Sequence, residues 1–546
     1  MDVQQEIKRA IEYTTHGEFR KAEVLYKQIL KQEPENYIAL SCLGLLYLSL
    51  GMYKRAKKYL SKSYSITPIN TTIEGLGLAS YYLEKYEDAI NYFEKIINNT
   101  KNYDVFEKYI TILLEEKKYT KALNLSEKCL KIFPLKKEAI SQNILCLTNR
   151  GKFQEAFSQA SNLVKRYPKY PMGWQRLGLI YEMVFHDEDM AKTCYENVVK
   201  TGDKCLGYVN LLINASKRFD FDSAFKYMKK LDRMKLISDD LNFTKSVVYF
   251  KHRDFMKGYR YYVKRPTTDK KYQKHFKLKT EWDGKCCKEG TLLVYSDQGA
   301  GDCMMFSRYL PFLEKYFKQI KVLTKESIIE LQKRSFKKYK KIKFYPNSIK
   351  RTPTHDKYIL LSSLPLILKM DIDKIPFSDG YLIADKTIIE KYKTKTETKK
   401  YKVGICWEAG GTGWRELLNR TLNVSLFEPF FEVENTQFYS LQVNPTMDNY
   451  KDYKNLIDLG KTFKDFDDTA GALSNLDLVI TVDTSVAHLA GALGVKTLML
   501  LPYCPDWRWF DNDKTTEWYG SIKIFRQENT KSWDDVIENI KQELKG

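Results

Sequence analysis

At 546 residues the chain is too long for one ordinary core, and its 43% hydrophobic and 14% aromatic content excludes a disordered chain and predicts two or three packed domains. The formal net charge of +21 invites a nucleic-acid reading, yet residues 401–546 carry 15 Lys+Arg against 22 Asp+Glu, which leaves +28 on residues 1–400. Those lysines are spread along helix faces rather than interleaved with exposed aromatics, so no nucleic-acid partner is expected, while an acidic acceptor or partner stays open.

No apolar run reaches the roughly eighteen residues of a membrane span. The opening MDVQQEIKRA has no signal-peptide core, and a cytoplasmic protein without a transmembrane segment is expected. Ten cysteines without a CxxC pair predict neither a zinc site nor a disulfide framework.

A 34-residue period opens the chain. Gly17, Ala22 and Pro34 recur as Gly51, Ala56 and Pro68, and the small residue continues at Ala89, Ala122, Ala156, Ala191 and Ala224. An aromatic precedes it by about three positions in Phe19, Tyr53, Tyr86, Tyr119, Phe153 and Phe221, while Pro134 and Pro168 keep the spacing. A degenerate unit follows at Asp254, Phe255 and Gly258. Small residues let helices approach closely, and a proline ends the second helix of each unit because it has no N–H to donate. The pattern resembles the tetratricopeptide repeat (TPR), two antiparallel helices per unit, with LGLLY (43–47) and LGLIY (177–181) similar to its first-helix signature. Seven to eight repeats over residues 1–267 are expected to stack into an α-solenoid, a TPR superhelix. Such a solenoid binds a peptide or acceptor on its concave surface, or serves as a spacer or dimerisation platform.

A linker is expected over 268–284. Thereafter short apolar runs alternate with longer amphipathic ones: TLLVYS at 291, IKVLT at 320, IKFY at 342 and YILL at 358. A second series starts at YKVGICW (401–407) and continues with TQFYSLQV, LDLVITVD and VKTLMLL. Both read as doubly wound α/β units, placed at 285–396 and 397–546, with a cleft between them.

The first strand leads into SDQGAGD (296–302), a glycine-bearing strand-to-helix turn whose backbone N–H groups a substrate can approach. Taken alone, Asp302 reads as an ordinary helix N-cap. In the second unit LDLVITV ends in Asp483, Thr484 and Ser485 at the start of a helix closed by Gly494, an arrangement suited to a pyrophosphate. His488 sits one turn on. Asp506, Trp507, Arg508 and Trp509 follow the last apolar strand; an indole could stack on a base and Arg508 reach phosphate, or the tryptophans cap the core.

DTSVAHLAGALGVKTLMLL (483–501) resembles the heptosyltransferase-type motif, and EWDGK (281–285), SDQGAGD with FSRYLP (296–311) and LPYCPDWRW (501–509) resemble a bacterial group that joins TPR repeats to this glycosyltransferase domain. The resemblance implies a GT-B fold of two Rossmann-like units, the first on the acceptor side and the second on the nucleotide-sugar side. It implies an inverting, metal-independent transfer from a nucleoside-diphosphate sugar to a glycan or protein acceptor, with no cofactor beyond that donor. Carried over, Gly301 and Asp302 match the base element, and Asp483, Thr484, Ser485 and His488 match the donor-diphosphate element. Of Arg415 and Arg420, Arg420 is the better match for a phosphate-binding basic group, and Trp407 joins Asp506, Trp507 and Arg508 as candidates for the nucleotide pocket. The repeats would bind acceptor or protein partners. Lys496, where many members carry proline, and Glu408 depart from the pattern, and the alternative they leave open is a non-catalytic TPR scaffold with a degenerate transferase domain.

Overall fold

The computed structural model of the chain describes residues 2–265, 273–276, 279–410, 420–445, 453–510, 514–528 and 532–545. The chain divides into two compact units, Met1–Ile180 and Tyr181–Gly546.

In the first unit the 34-residue period becomes helix pairs: Val3–Thr15 with Phe19–Gln32, Tyr37–Ser49 with Tyr53–Ile66, Asn70–Tyr82 with Tyr86–Ile96, Tyr103–Glu115 with Tyr119–Ile132, and Lys137–Asn149 with Phe153–Arg166. Each pair turns on one residue in the left-handed region, at Gly17, Gly51, Glu84, Lys117 and Gly151. Glycine pays no steric penalty there, which is why the period begins on Gly17 and Gly51. Ala22, Ala56, Ala89, Ala122 and Ala156 are completely buried. At Gly44 an added Cβ would lie 2.6 Å from Leu60 Cγ, so the first helix of that repeat reaches the second only because no side chain intervenes. Pro34, Pro68, Pro134 and Pro168 each stand just past the end of a second helix. No helix among the described residues is long and apolar enough to cross a membrane.

The second unit opens with more of the same repeat: helices Glu188–Lys200, Lys204–Lys217, Phe221–Arg233, Asp239–Lys251 and Phe255–Tyr262. Left-handed turn residues His186, Phe219 and Arg253 continue the period. With Pro171–Met183, the described residues hold sixteen repeat helices, an α-solenoid of TPR type.

Two parallel sheets follow. The first contains β1 (Thr280–Glu281), β2 (Cys287–Tyr295), β3 (Phe317–Thr324), β4 (Ile342–Pro346) and β5 (Lys357–Leu360) in the order β1-β5-β2-β3-β4. The second contains β6 (Tyr401–Cys406), β7 (Thr436–Ser440), β8 (Leu456–Asp458), β9 (Leu478–Val482), β10 (Thr497–Leu501) and β11 (Ile522–Arg526) in the order β11-β10-β9-β6-β7-β8. β9 and β10 are buried along their whole length, as expected for central parallel strands covered on both faces. In each sheet the chain reverses direction of travel beside its first long strand: β2 lies between β3 and β5, and β6 between β7 and β9. Ligands of open α/β sheets bind outside the carboxyl ends of strands at such reversals.

Two boundaries differ from the expectation. Residues 280–284, read as the end of a linker, belong to the first sheet unit: β1 pairs with β5, and Trp282 is buried against Tyr316 and Phe317. The helix Lys386–Lys393 packs on Phe466–Leu473, where Gly471 leaves room for Ile388, so residues before 397 already belong to the second sheet unit. Burial of single large side chains decides both cases, and a strand pattern does not register it.

The last repeat packs directly on the second sheet unit. Phe250, fully buried, stacks on Trp507 at 4.1 Å between ring centroids. Phe255 meets Phe510 and Trp518, and Arg253 forms an ion pair with Glu517.

Candidate functional site

The loop after β2 and the loop after β9 meet. Gly299 occupies the N-cap of the helix Ala300–Ser307, which puts Asp302 inside the first turn rather than at the cap. The helix Ser485–Leu493 starts from Thr484, whose hydroxyl accepts from Val486 N at 3.2 Å, and ends on left-handed Gly494. These helices cross at Gly301: an added Cβ would lie 2.7 Å from His488 Cδ2 and 3.3 Å from Ser485 Cα. Only glycine lets the two turns come this close.

A chain of charges runs through the contact. Arg508 Nη2 donates to Asp302 Oδ1 at 2.5 Å, and Nη1 donates to Asp506 Oδ1, also at 2.5 Å. Asp506 Oδ1 accepts the Arg508 backbone N–H as well, at 3.1 Å, and caps the short turn Trp507–Trp509. Arg420 Nη1 lies 3.8 Å from Asp483 Oδ2. Asp302, Gly301, Arg420, Asp483, Thr484, Ser485, His488, Asp506 and Arg508 are therefore gathered at the carboxyl ends of β2, β9 and β10. Arg415 lies outside the described residues.

The electrostatics follow from burial. Desolvation holds the Asp302 carboxyl above the usual range, and Arg508 opposes it. Asp483 is raised by burial and by the neighbouring Asp506 charge, against the pull of Arg420 and Arg508. For Asp506 burial acts upward, but the Arg508 charge and its hydrogen bonds win, and the carboxyl titrates below its ordinary value. Burial, then the Arg508 charge, pushes His488 down to about 3, so it is a neutral imidazole at any ordinary pH. Its Nδ1 sits 3.0 Å from Tyr519 Oη, and its ring stacks on Trp509.

Trp407 and Trp507 are placed elsewhere than an open nucleotide pocket. Trp407, 1% exposed, fills the core beneath β6 with Val403, Ile405 and Phe427. Trp507 is 2% exposed, its face covered by Phe250 and the Arg508 guanidinium 4.7 Å from its ring centre. The two departures from the resemblance also separate. Lys496 is exposed at the amino end of β10, away from the strand ends that form the site, whereas Glu408 is buried just past β6, its N–H donating to Gln442 Oε1 at 3.0 Å.

Three supporting residues were given no role by the sequence, although Asp297 and Arg308 lie in segments it singled out. Arg308 is completely buried and, among the described residues, pairs with no carboxylate; it donates to the carbonyls of Met305, Pro376 and Trp518 and lies against the Tyr519 ring that holds His488. Asp297, in the SDQGAGD turn, pairs with Arg265 from the end of the repeats, and both are bound to Ser362. A buried arginine needs partners from distant parts of the chain, and only the folded structure reveals them.

The family described as anaphase-promoting complex, cyclosome, subunit 3 (ANAPC3) matches residues 15–96. BBSome complex member BBS4 of Bos taurus is 25% identical over 239 residues, covering 42% of this chain and 46% of that protein. Protein FlbA of Caulobacter vibrioides is 21% identical over 287 residues, 48% of each. The chain spans about half the length of the curated relatives it matches. Among solved structures, a tetratricopeptide repeat protein from Parabacteroides merdae is 18% identical with a TM-score of 0.38, covering 44% of this chain and 96% of that one. YrrB, described as a TPR protein with an unusual peptide-binding site, is 22% identical with a TM-score of 0.30, covering 33% and 95%.

Proposed function

We propose that the α/β part of the chain is a glycosyltransferase of GT-B architecture, moving a sugar from a nucleoside-diphosphate sugar to a glycan or protein acceptor with inversion and without a metal. The observation that carries this reading is the close approach of Gly301, the residue before Asp302, to Ser485 and His488, with Arg508 bonded to Asp302 and Arg420 beside Asp483. In this reading an acceptor hydroxyl attacks the anomeric carbon while the bond from that carbon to the diphosphate oxygen breaks. The hydroxyl proton passes to Asp302, whose carboxyl burial holds above the usual range against the pull of Arg508. The departing nucleoside diphosphate carries away the electron pair, and its charge falls to Arg420, Arg508 and the first turn of Ser485–Leu493. His488 enters as a neutral group that fixes Gly301 and Ser485 at their spacing, not as a cation. The repeats supply binding for protein partners or the acceptor.

The purified full chain, supplied with candidate nucleotide sugars and acceptors, tests the reading. Asp302→Asn should lower turnover by about 10²- to 10⁴-fold while donor binding survives. Undiminished turnover would remove Asp302 as the base, and the failure of every nucleotide sugar to bind the wild type would favour a non-catalytic scaffold.

A further inference from the structure

This inference rests on the glycosyltransferase reading and concerns the regulation of its base. We propose that Arg508 is shared between Asp302 and the donor diphosphate, so that Asp302 is held in an ion pair until the donor arrives and draws the guanidinium away.

Arg508 bridges two carboxylates that come from opposite sheets. One nitrogen is bonded to Asp302, on the helix after β2, and the other to Asp506, in the segment after β10. Asp506 also accepts the Arg508 backbone N–H, so that half of the bridge is a local tether and the Asp302 half is the separable one. A carboxylate oxygen accepting a charge-assisted hydrogen bond from a guanidinium is a poor proton acceptor, because protonation forfeits the bond. A base locked in this way is at rest.

The groups around the bridge favour exchange when a diphosphate enters. Among the described residues the ionisable groups facing Asp302 include Arg508, Asp506, Asp297, Tyr262 and Cys303, and Arg508 is the cation among these. Arg508 in turn faces Asp302, Asp506, Asp483 and Tyr262. Arg420, the second described guanidinium at these strand ends, is already engaged by Asp483. An anion arriving at Thr484 and Ser485 therefore meets two arginines, each held by a carboxylate. A diphosphate offers more charge and more acceptor oxygens than the one Asp302 oxygen it replaces. Once released, Asp302 stays partly buried beside carboxylates with its counterion gone, and its affinity for a proton rises. Trp507 limits how far Arg508 can travel: its ring packs against the guanidinium and is itself stacked on Phe250 of the last repeat. The acceptor would then be deprotonated only after the donor is in place, which keeps an idle enzyme from activating stray hydroxyls.

Calorimetric titration of UDP, GDP, ADP, CDP and dTDP into the full chain at neutral pH, in two buffers of different ionisation enthalpy, tests the exchange. The wild type should bind one of them with net uptake of a fraction of a proton, the Asp302 carboxyl becoming more basic while staying mostly ionised and able to act as the base. Asp302→Asn frees Arg508 in advance, so it should bind the same nucleotide roughly tenfold more tightly and without the uptake. Asp302→Glu, which restores the charge, should return both quantities toward the wild type, a pattern that a merely structural role would not give. Arg508→Gln should weaken binding and abolish the difference between Asp302 and Asn. Wild-type binding with Asp302→Asn at equal or lower affinity, or with uptake unchanged, overturns this inference alone. Binding of no nucleoside diphosphate by the wild type overturns the parent reading.

Discussion

Replacing Gly301 with alanine puts a methyl group at the contact between the two strand-end turns. The new carbon would lie 2.7 Å from His488 Cδ2. Unstrained carbons stand about 3.5 Å or more apart, so about 0.8 Å has to be found. The imidazole has little freedom to yield, because Tyr519 holds its Nδ1 and Trp509 covers its face. Ser485 Cα, 3.3 Å away on the other side, is backbone. Overpacking of this kind costs about 1–3 kcal/mol. A shift approaching 1 Å between Asp302 and the Thr484 turn would lower transferase turnover by up to about 10²-fold. His488→Ala empties the contested space, so the double variant Gly301→Ala/His488→Ala should be more stable than the two single effects sum to, by about 1–2 kcal/mol. Seven of the eight tryptophans lie beyond residue 181, so tryptophan emission during urea unfolding reports on the unit Tyr181–Gly546. Strict additivity would refute the claim that His488 and Gly301 hold the turns together.

Three other outcomes follow from the packing. Arg265→Ala strands Asp297 as a buried, unpaired charge and should cost about 3–5 kcal/mol in the same unfolding experiment, with Arg265→Ala/Asp297→Ala losing less than the single variant. Glu188 is pushed up to about 7 by burial and then by the Glu182 charge, so its folded pKa exceeds its unfolded one and its contribution is lost as pH rises through about 7. Glu188→Gln should therefore stabilise the unit at pH 8, by about 1 kcal/mol, and have little effect at pH 5, as read by parallel urea titrations. A fragment of residues 181–546 should show the sharp near-ultraviolet dichroism of packed tryptophans, whereas 268–546, stripped of Phe250, Phe255, Tyr259 and Tyr262, should not.

The repeats were legible in the sequence because their physics is local. A left-handed turn, a close helix crossing and a helix stop each demand one residue type, and Gly17, Ala22 and Pro34 return at fixed spacing. β9 and β10 were legible because fully covered parallel strands are continuous apolar runs, and β2, β3 and β5 because each ends in a short buried run. β1, β8 and β11 were not: β1 and β8 are two and three residues long, and β11 alternates lysine and arginine with isoleucine and phenylalanine. At the site, Asp302 and the Asp483–His488 turn stood out because polar residues followed buried strands. Arg508 was legible only as a basic residue near a strand end, since its two carboxylate partners lie 206 and 2 residues away. The tryptophans stayed undecided for the opposite reason: an indole beside a strand end looks the same in sequence whether it faces a ligand or, like Trp507, a phenylalanine from a distant helix.

The most direct measurement of the central claim is a crystal structure of the full chain soaked with the nucleoside diphosphate that binds it. The account predicts the diphosphate against Arg420, Arg508 and the first turn of Ser485–Leu493, with Asp302 no longer bonded to Arg508. A nucleotide lodged away from the strand ends, with the Asp302–Arg508 pair intact, would contradict it.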